Sequence, residues 1–273
     1  MKRTYLGCIL ILFLLGLFFW KRLPDPVFHS PCSTVVYDRD GGLLGARIAP
    51  DGQWRFPEMD SVPEKFNKCI LHFEDRYFYY HPGVNLFSLG RALYQNIKAR
   101  EVVSGGSTLS MQVIRLSRDL RPRTIGEKII EIILALRLEL RYSKDEILSL
   151  YCSHAPFGGN VVGLETASWR YFNRDPFHLS WAESALLAVL PNAPSLLHPG
   201  KNQDQLKAKR DRLLASLVAR EVIDSMEYLL ALEEELPDSP ARLPEHAYHL
   251  TEQFSMSRSG KRIHSTIDPE QDR

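Results

Sequence analysis

From Pro63 onward the sequence follows the 3.6-residue period of amphipathic helices, which narrows the possible folds more than any other feature. Apolar residues recur at helical spacing over about 63–75, 86–98, 107–118, 124–141 and 143–152, with Pro122 and Pro156 interrupting the series. Ser143 ahead of Asp145 and Glu146 marks a helix start, because a serine hydroxyl accepts from a first-turn amide. Further helices are predicted over Ser180–Val189, closed by Pro191-Asn192-Ala193-Pro194, and over about 205–220 and 223–235. Strand is expected chiefly in the region before them. Ser33–Tyr37, the turn Asp38-Arg39-Asp40-Gly41-Gly42 and Leu43–Ile48 predict a small β-hairpin. After Pro237 the chain turns polar and loop-like, ending in a short strand-like piece at Arg262–Pro269. The expected fold class is mainly α.

Ahead of the hairpin, the run from Thr4 to Trp20 contains no charge and is bounded by Lys2-Arg3 and Lys21-Arg22. Its length is at the short end of the range for a spanning helix, and Trp20 suits an interfacial anchor. The rival, a cleaved signal peptide, would want a small-residue site that Phe18-Phe19-Trp20-Lys21-Arg22 does not offer. An uncleaved single-pass anchor is expected, with the N-terminus inside and the rest outside the cytoplasmic membrane. Composition is that of an ordinary globular protein, 25% charged and 44% hydrophobic. A net charge of +1 gives no basis for a nucleic-acid partner. Cys8 lies in the apolar run, and Cys32, Cys69 and Cys152 lack metal or disulfide spacing, so buried thiols are expected.

Two segments carry chemistry. Glu74-Asp75-Arg76-Tyr77-Phe78-Tyr79-Tyr80-His81-Pro82-Gly83 sets an acidic pair beside an aromatic-rich turn. Adjacent acids point in different directions, so one can do proton chemistry while the other fixes local structure. The aromatics can desolvate a carboxylate and lift its pKa toward a value useful to a base. Gly105-Gly106-Ser107-Thr108 then opens a helix that carries Gln112 and Arg115 one turn apart. Taken alone this loop is a helix cap; its hydroxyls and free amides also suit an anion. Lys128 and Glu131 stand three apart on one helix face, able to pair with each other or to address one ligand together. The bland reading of that pair is a surface ion pair of little worth. No Ser-x-x-Lys and no Lys-[Ser/Thr]-Gly occurs in the sequence.

Taken jointly these segments resemble the peptidoglycan glycosyltransferase domain, glycosyltransferase family 51, of class A penicillin-binding proteins. The first family motif, Glu-Asp-x-x-Phe-x-x-His-x-Gly, is matched at Glu74, Asp75, Phe78, His81 and Gly83. The second, Gly-x-Ser-Thr-x-[Thr/Ser]-x-Gln, is matched from Gly105 to Gln112. The third, Arg-Lys-x-x-Glu, keeps Lys128 and Glu131 but has Glu127 in the arginine position. The fourth, Glu-Ile-Leu-x-x-Tyr-x-Asn, runs from Glu146 and ends in Ser153 instead of asparagine. Ala155–Gly159 and Leu187–Ser195 look most like the 1C branch of the family. His264–Pro269 looks like the lead-in to a transpeptidase domain that does not follow.

The resemblance implies a lysozyme-like, mainly helical glycosyltransferase domain at 61–236, after a tail and anchor at 1–23 and a linker with hairpin at 24–60. Residues 237–273 are expected as a linker. The implied reaction is polymerisation of lipid II into glycan strands with release of undecaprenyl pyrophosphate, in cell wall synthesis. Glu74 is carried over as the catalytic base and Glu131 as a second catalytic acid, orienting the donor side or holding a divalent cation, magnesium or manganese. Asp75, Phe78, His81, Ser107, Thr108, Gln112, Arg115 and Lys128 are the expected substrate-binding residues. Glu127 weakens the phosphate site on paper, and Arg121 or Arg123 would be needed to compensate. The expected partners are lipid II, the growing glycan strand, the cytoplasmic membrane and other cell wall synthesis proteins. Two other readings stay open: a glycan-cleaving lysozyme-like enzyme, and an inactive anchored scaffold that binds lipid II.

Overall fold

The computed structural model describes residues 13, 16, 23–101, 105–118, 124–192, 194 and 199–267. The expected anchor, Arg121, Arg123 and the final Asp268-Pro269 lie outside the described residues, the anchor's Phe13 and Gly16 excepted. Among the described residues no helix is long and apolar enough to cross a membrane. The fold is mainly helical with small sheets, and it divides into two compact units. One comprises the described residues up to His29 with Tyr77–Leu148, the other Ser30–Arg76 with Ser149–Arg273.

The second unit is built on β1 (Thr34–Tyr37), whose four residues are all buried. A strand without a polar side must be covered on both faces. Val35 and Tyr37 face one cluster with Leu43, Phe56, Trp169 and Leu243. Val36 faces the other, with Leu44 and Ile263, against Leu250 and Phe254. β1 pairs antiparallel with β2 (Leu43–Arg47), as the hairpin pattern predicts, with a bulge at Val36/Tyr37. The turn is fixed by Asp38, whose Oδ1 accepts from the amides of Asp40 and Gly42 at 2.8 and 2.7 Å.

A second short sheet pairs β3 (Trp54–Arg55) in parallel with β4 (Val161–Val162). The open edge of β1 is taken by β5 (Arg262–His264), in parallel register Val35↔Arg262 to Tyr37↔His264. An uncovered edge next to a buried strand would leave amides without partners, which is why the chain returns here.

Around the sheets, α1 (Glu64–Glu74) begins the helical body, and the chain later adds α6 (Leu164–Phe172), α7 (Trp181–Val189), α8 (Gln203–Val218), α9 (Ser225–Glu233) and α10 (Tyr248–Ser257). α1, α7 and α8 pack on one another. α7 starts at a capping box in which Ser180 and Glu183 satisfy each other's backbone amides, and from Ala182 to Val189 every side chain is buried.

Two departures from the sequence reading stand out. Leu164–Phe172 is a helix that the sequence reading does not contain, and the stretch after Pro237, which reads as loop, forms α10 against β1 and β2. α10 has one buried residue, Thr251, so its apolar period is faint; contact with the sheet stabilises it rather than its own pattern.

Tyr37 ties three of these elements together. Its hydroxyl donates to Glu165 Oε1 at 2.5 Å, and Arg262 on β5 pairs with the same carboxylate. Burial raises the Glu165 pKa from its ordinary value while the Arg262 charge pulls it back.

In the first unit α2 (Leu86–Ala99) starts at Asn85, whose side chain accepts from Ser88 N at 3.0 Å. Its Leu86, Phe87, Tyr94 and Ile97 are exposed, Phe87 by 94%. α3 (Leu109–Ser117) packs against α4 (Ile125–Arg141), and α5 (Lys144–His154) follows, the division between units falling at Leu148/Ser149. The predicted helix start at Ser143 is present: its amide and hydroxyl donate to Glu146 Oε2 at 2.7 and 2.8 Å.

Gly83 lies at φ +87°, where an added Cβ would stand 2.8 Å from Glu139 Cγ and 2.9 Å from the Ala135 carbonyl oxygen. Gly83→Ala should therefore destabilise the first unit by about 1–3 kcal/mol, through backbone strain and displacement of α4. A lower thermal midpoint followed by circular dichroism checks this. Tyr37→Phe should cost the second unit about 1–3 kcal/mol, since it leaves a buried carboxylate oxygen of Glu165 short of a donor. Urea unfolding followed by tryptophan fluorescence reads it through Trp169; an unchanged midpoint would show the hydroxyl to be dispensable.

Candidate functional site

The two halves of the first motif fall in different units. Glu74 is half-buried at the last position of α1, and Asp75 is buried at its C-cap, both in the second unit. Phe78, His81 and Gly83 belong to the first. Phe78 is fully buried, and its ring meets the His81 ring edge-on with centroids 6.3 Å apart. His81 turns back on its own loop, with Nδ1 accepting from Gly83 N at 3.2 Å. The exposed Tyr79 is tethered through its hydroxyl to Asp145 at 2.9 Å.

The second motif is held against this turn. Thr108 caps α3 by accepting from Met111 N at 3.2 Å, and its hydroxyl proton goes to the Gly83 carbonyl at 2.6 Å. Thr108 is therefore a tether between the two motifs. Gly106 is required by proximity, since a Cβ there would come within 2.8 Å of Leu89 Cα on α2. Ser107 is left facing the third motif, its oxygen accepting from Lys128 Nζ at 2.5 Å. Lys128 also reaches Glu131 Oε2 at 3.1 Å. The Glu131 side chain is only 10% exposed, so this pair is more than the surface bridge that spacing alone suggested. A hydroxyl, an ammonium and a carboxylate from three motif positions thus meet in one cluster. Gln112 is buried on α3, and Arg115 one turn further on is half-exposed.

Four further residues belong to this site; Ser110 is matched in the second motif without a role, and Glu139, Lys144 and Arg118 are not singled out by the sequence. Ser110 donates to Glu139, Glu139 accepts from Lys144 Nζ at 2.8 Å, and Lys144 donates to the His81 carbonyl at 2.7 Å. Lys144 also lies 4.4 Å over the Phe78 ring. The fourth is Arg118, whose Nη2 pairs with Glu127 Oε2 at 2.8 Å. Arg115, Arg118, Glu127 and Glu131 together line a shallow depression. The helical offset of three from Arg115 was the available signal for Arg118. Nothing local marked Lys144, whose partners are remote in sequence.

In the second unit Ser153, which stands where the family has asparagine, accepts from Met59 N at 3.0 Å, and Ser149 donates to the Met59 carbonyl. His154 Nε2 meets Glu58 Oε1 at 2.9 Å. Burial lowers the His154 pKa while Glu58 opposes that shift. These contacts fasten the backbone ahead of α1.

Among the described residues no three His, Cys, Asp or Glu side chains gather as a divalent ion needs. Glu131 is moreover committed to Lys128. The donor set does not fit a divalent ion held by the protein alone.

A family profile described as Transglycosylase matches residues 44–218. Penicillin-binding protein 1C of Escherichia coli (strain K12) is 38% identical, covering 97% of this chain and 35% of the relative. Penicillin-binding protein 1F of Bacillus subtilis (strain 168) is 35% identical, covering 75% of this chain and 28% of the relative. A solved structure of penicillin-binding protein 1A from Haemophilus influenzae covers 89% of this chain and 28% of its own, at 18% identity and a TM-score of 0.42. The chain thus spans about a third of the length of the relatives it matches. Through residues 44–218 the chain belongs to the transglycosylase family, the peptidoglycan glycosyltransferase domain of class A penicillin-binding proteins.

Proposed function

We propose that this chain polymerises lipid II into glycan strands, with release of undecaprenyl pyrophosphate, at the outer face of the cytoplasmic membrane. The observation that carries the reading is the Ser107–Lys128–Glu131 cluster, with Arg115 sharing a depression with Glu131. The departing group in this reaction is a pyrophosphate, which needs cations and hydrogen-bond donors rather than a proton. Lys128, steadied by Ser107 and Glu131, offers a fixed ammonium, and Arg115 offers a guanidinium that makes no ion pair among the described residues. A glycan-cleaving enzyme has no use for such a cationic site.

Glu74 is the proposed base. Its carboxylate takes the proton of the acceptor 4-hydroxyl, and the oxygen attacks the anomeric carbon of the lipid-linked glycan. The bond from that carbon to the phosphate oxygen breaks, and its electron pair leaves with undecaprenyl pyrophosphate. Asp75, buried at the helix C-cap, fixes the backbone next to the base. Gln112 is assigned to the donor side. Phe78, His81 and Thr108, whose contacts are spent on the loop, shape the substrate site without donating to it. The proposed architecture is lysozyme-like.

The exposed apolar residues of α2 stand beside exposed Arg91, Lys98 and Arg100. Apolar bulk rimmed by cations suits an anionic bilayer surface, which supports a membrane location for an enzyme whose substrate keeps its tail in lipid. The expected anchor at 1–23 and neighbouring cell wall synthesis proteins complete the proposed setting.

Glu74→Gln should lower polymerisation on a lipid II gel by roughly a hundred- to ten-thousandfold with an unchanged melting curve. Equal polymer from variant and parent would remove Glu74 from the role, and binding of lipid II without polymer by the parent itself would favour the scaffold reading. Lys128→Ala removes the ammonium and strands Glu131 in a buried setting. It should lower kcat/KM about ten- to a hundredfold, mainly through KM.

A further inference from the structure

We propose that Arg118 is a phosphate-binding residue of the donor side and that Glu127 is the positioning residue that aims it. The inference rests on the polymerase reading for its ligand and on the geometry of this chain for its residues. Glu127 occupies the position where the family motif has arginine. A bare carboxylate there would repel pyrophosphate, yet it is not bare. Arg118, from the C-terminal cap of α3, brings its Nη2 to within 2.8 Å of Glu127 Oε2.

A surface ion pair would carry no such meaning. Here the side chains are only 18% and 23% exposed, so the pair is screened little and its geometry is held. Both residues line the depression that also contains Arg115 and Glu131.

The charges decide the sign of that depression. Its lining sets Arg115 and Arg118 against the carboxylates of Glu127 and Glu131, and Lys128, bound to Glu131 from outside that lining, adds the third cation. Without Arg118 the balance would be even, and the site would have no net attraction for an anion. A guanidinium has five N–H donors in a planar fork. One edge of Arg118 is spent on Glu127, while its Nε lies out of water and has no hydrogen-bond partner among the described residues. An anion in the depression would satisfy donors that the protein leaves over. A guanidinium thus reaches the depression from the end of α3, held there by the acid in the first turn of α4.

The test uses the full chain in detergent, with inorganic pyrophosphate binding by calorimetry and lipid II polymerisation kinetics measured side by side. Arg118→Gln should weaken pyrophosphate binding and raise KM by about tenfold or more, with kcat changed far less. Glu127→Gln should shift both in the same direction by a smaller factor. The double variant Arg118→Gln with Glu127→Arg, which returns a guanidinium to the depression from the other side, should recover most of the lost binding. A merely structural pair would give no such rescue and no split between KM and kcat. Should Arg118→Gln fail to fold, Arg118→Lys keeps the charge, loses the fork and should bind pyrophosphate at an intermediate level.

Polymerisation and pyrophosphate binding equal to the parent in Arg118→Gln would overturn the inference and leave the polymerase reading standing. Arg118-dependent pyrophosphate binding by a parent that makes no polymer would uphold the inference and sink that reading. A parent that binds neither pyrophosphate nor lipid II would sink both.

Discussion

One half-buried ion pair organises the first unit and, with it, the loop geometry of two motifs. Lys144 and Glu139 meet at 2.8 Å with side chains 19% and 9% exposed. From that contact Lys144 reaches the His81 carbonyl and the Phe78 ring, and Glu139 takes the hydroxyl of Ser110. α3, α4, α5 and the aromatic turn are thereby set in one register. A half-buried pair of this kind is weak evidence for stability, because desolvation offsets much of the Coulomb gain. What it supplies is specificity: this arrangement of the three helices satisfies both the ammonium and the carboxylate. Gly83 is part of the same constraint, since it lies so close to Glu139 and Ala135 that no side chain fits.

On this frame the motif residues divide into those that hold the turn and those that meet the third motif. Thr108 spends its hydroxyl on Gly83 and the α3 cap, and Phe78 is sealed in the turn. Ser107 meets Lys128 instead, and through it Glu131. Two neighbouring hydroxyls in one motif thus have opposite duties, because the capping geometry turns the first inward and leaves the other free to accept. The acid at 127 follows the same logic. It reads as a defect in a list of motif letters and becomes part of a pair once Arg118 is beside it. What matters to a phosphate is where the guanidinium stands, not which residue number carries it.

Much of the helical body was legible because its cause is local. The periods that predicted helices near 63–75, 86–98 and 124–141 correspond to Glu64–Glu74, Leu86–Ala99 and Ile125–Arg141. Asn85 and Thr124 cap the second and third of these, and Thr108 caps α3, each accepting from an amide within the first turn of its own helix. β5 was legible as a strand-like piece within Arg262–Pro269, though not the strand it would pair with, and α10 lies in a stretch that reads as loop. β5 is three residues long and exists because β1 has an edge to cover, and α10 because the sheet has a face to cover. Such elements owe their order to partners more than two hundred residues away, which no window of sequence contains.

The sequence by itself determined the mainly helical class, the hairpin, the shared helix face of Lys128 and Glu131 and the motif set that places the chain in its family. These follow from periodicity and short spacing, where residues near in the chain are near in space. Only the tertiary structure decided that Thr108 tethers while Ser107 faces Lys128, that Lys144 and Glu139 lock the helices, and that Glu127 is answered by Arg118. The first two depend on which loop is pressed against which helix, and the third on the end of one helix meeting the start of the next. Charge and hydrogen bonding act over a few ångströms, so their outcome waits on the fold that sets those distances.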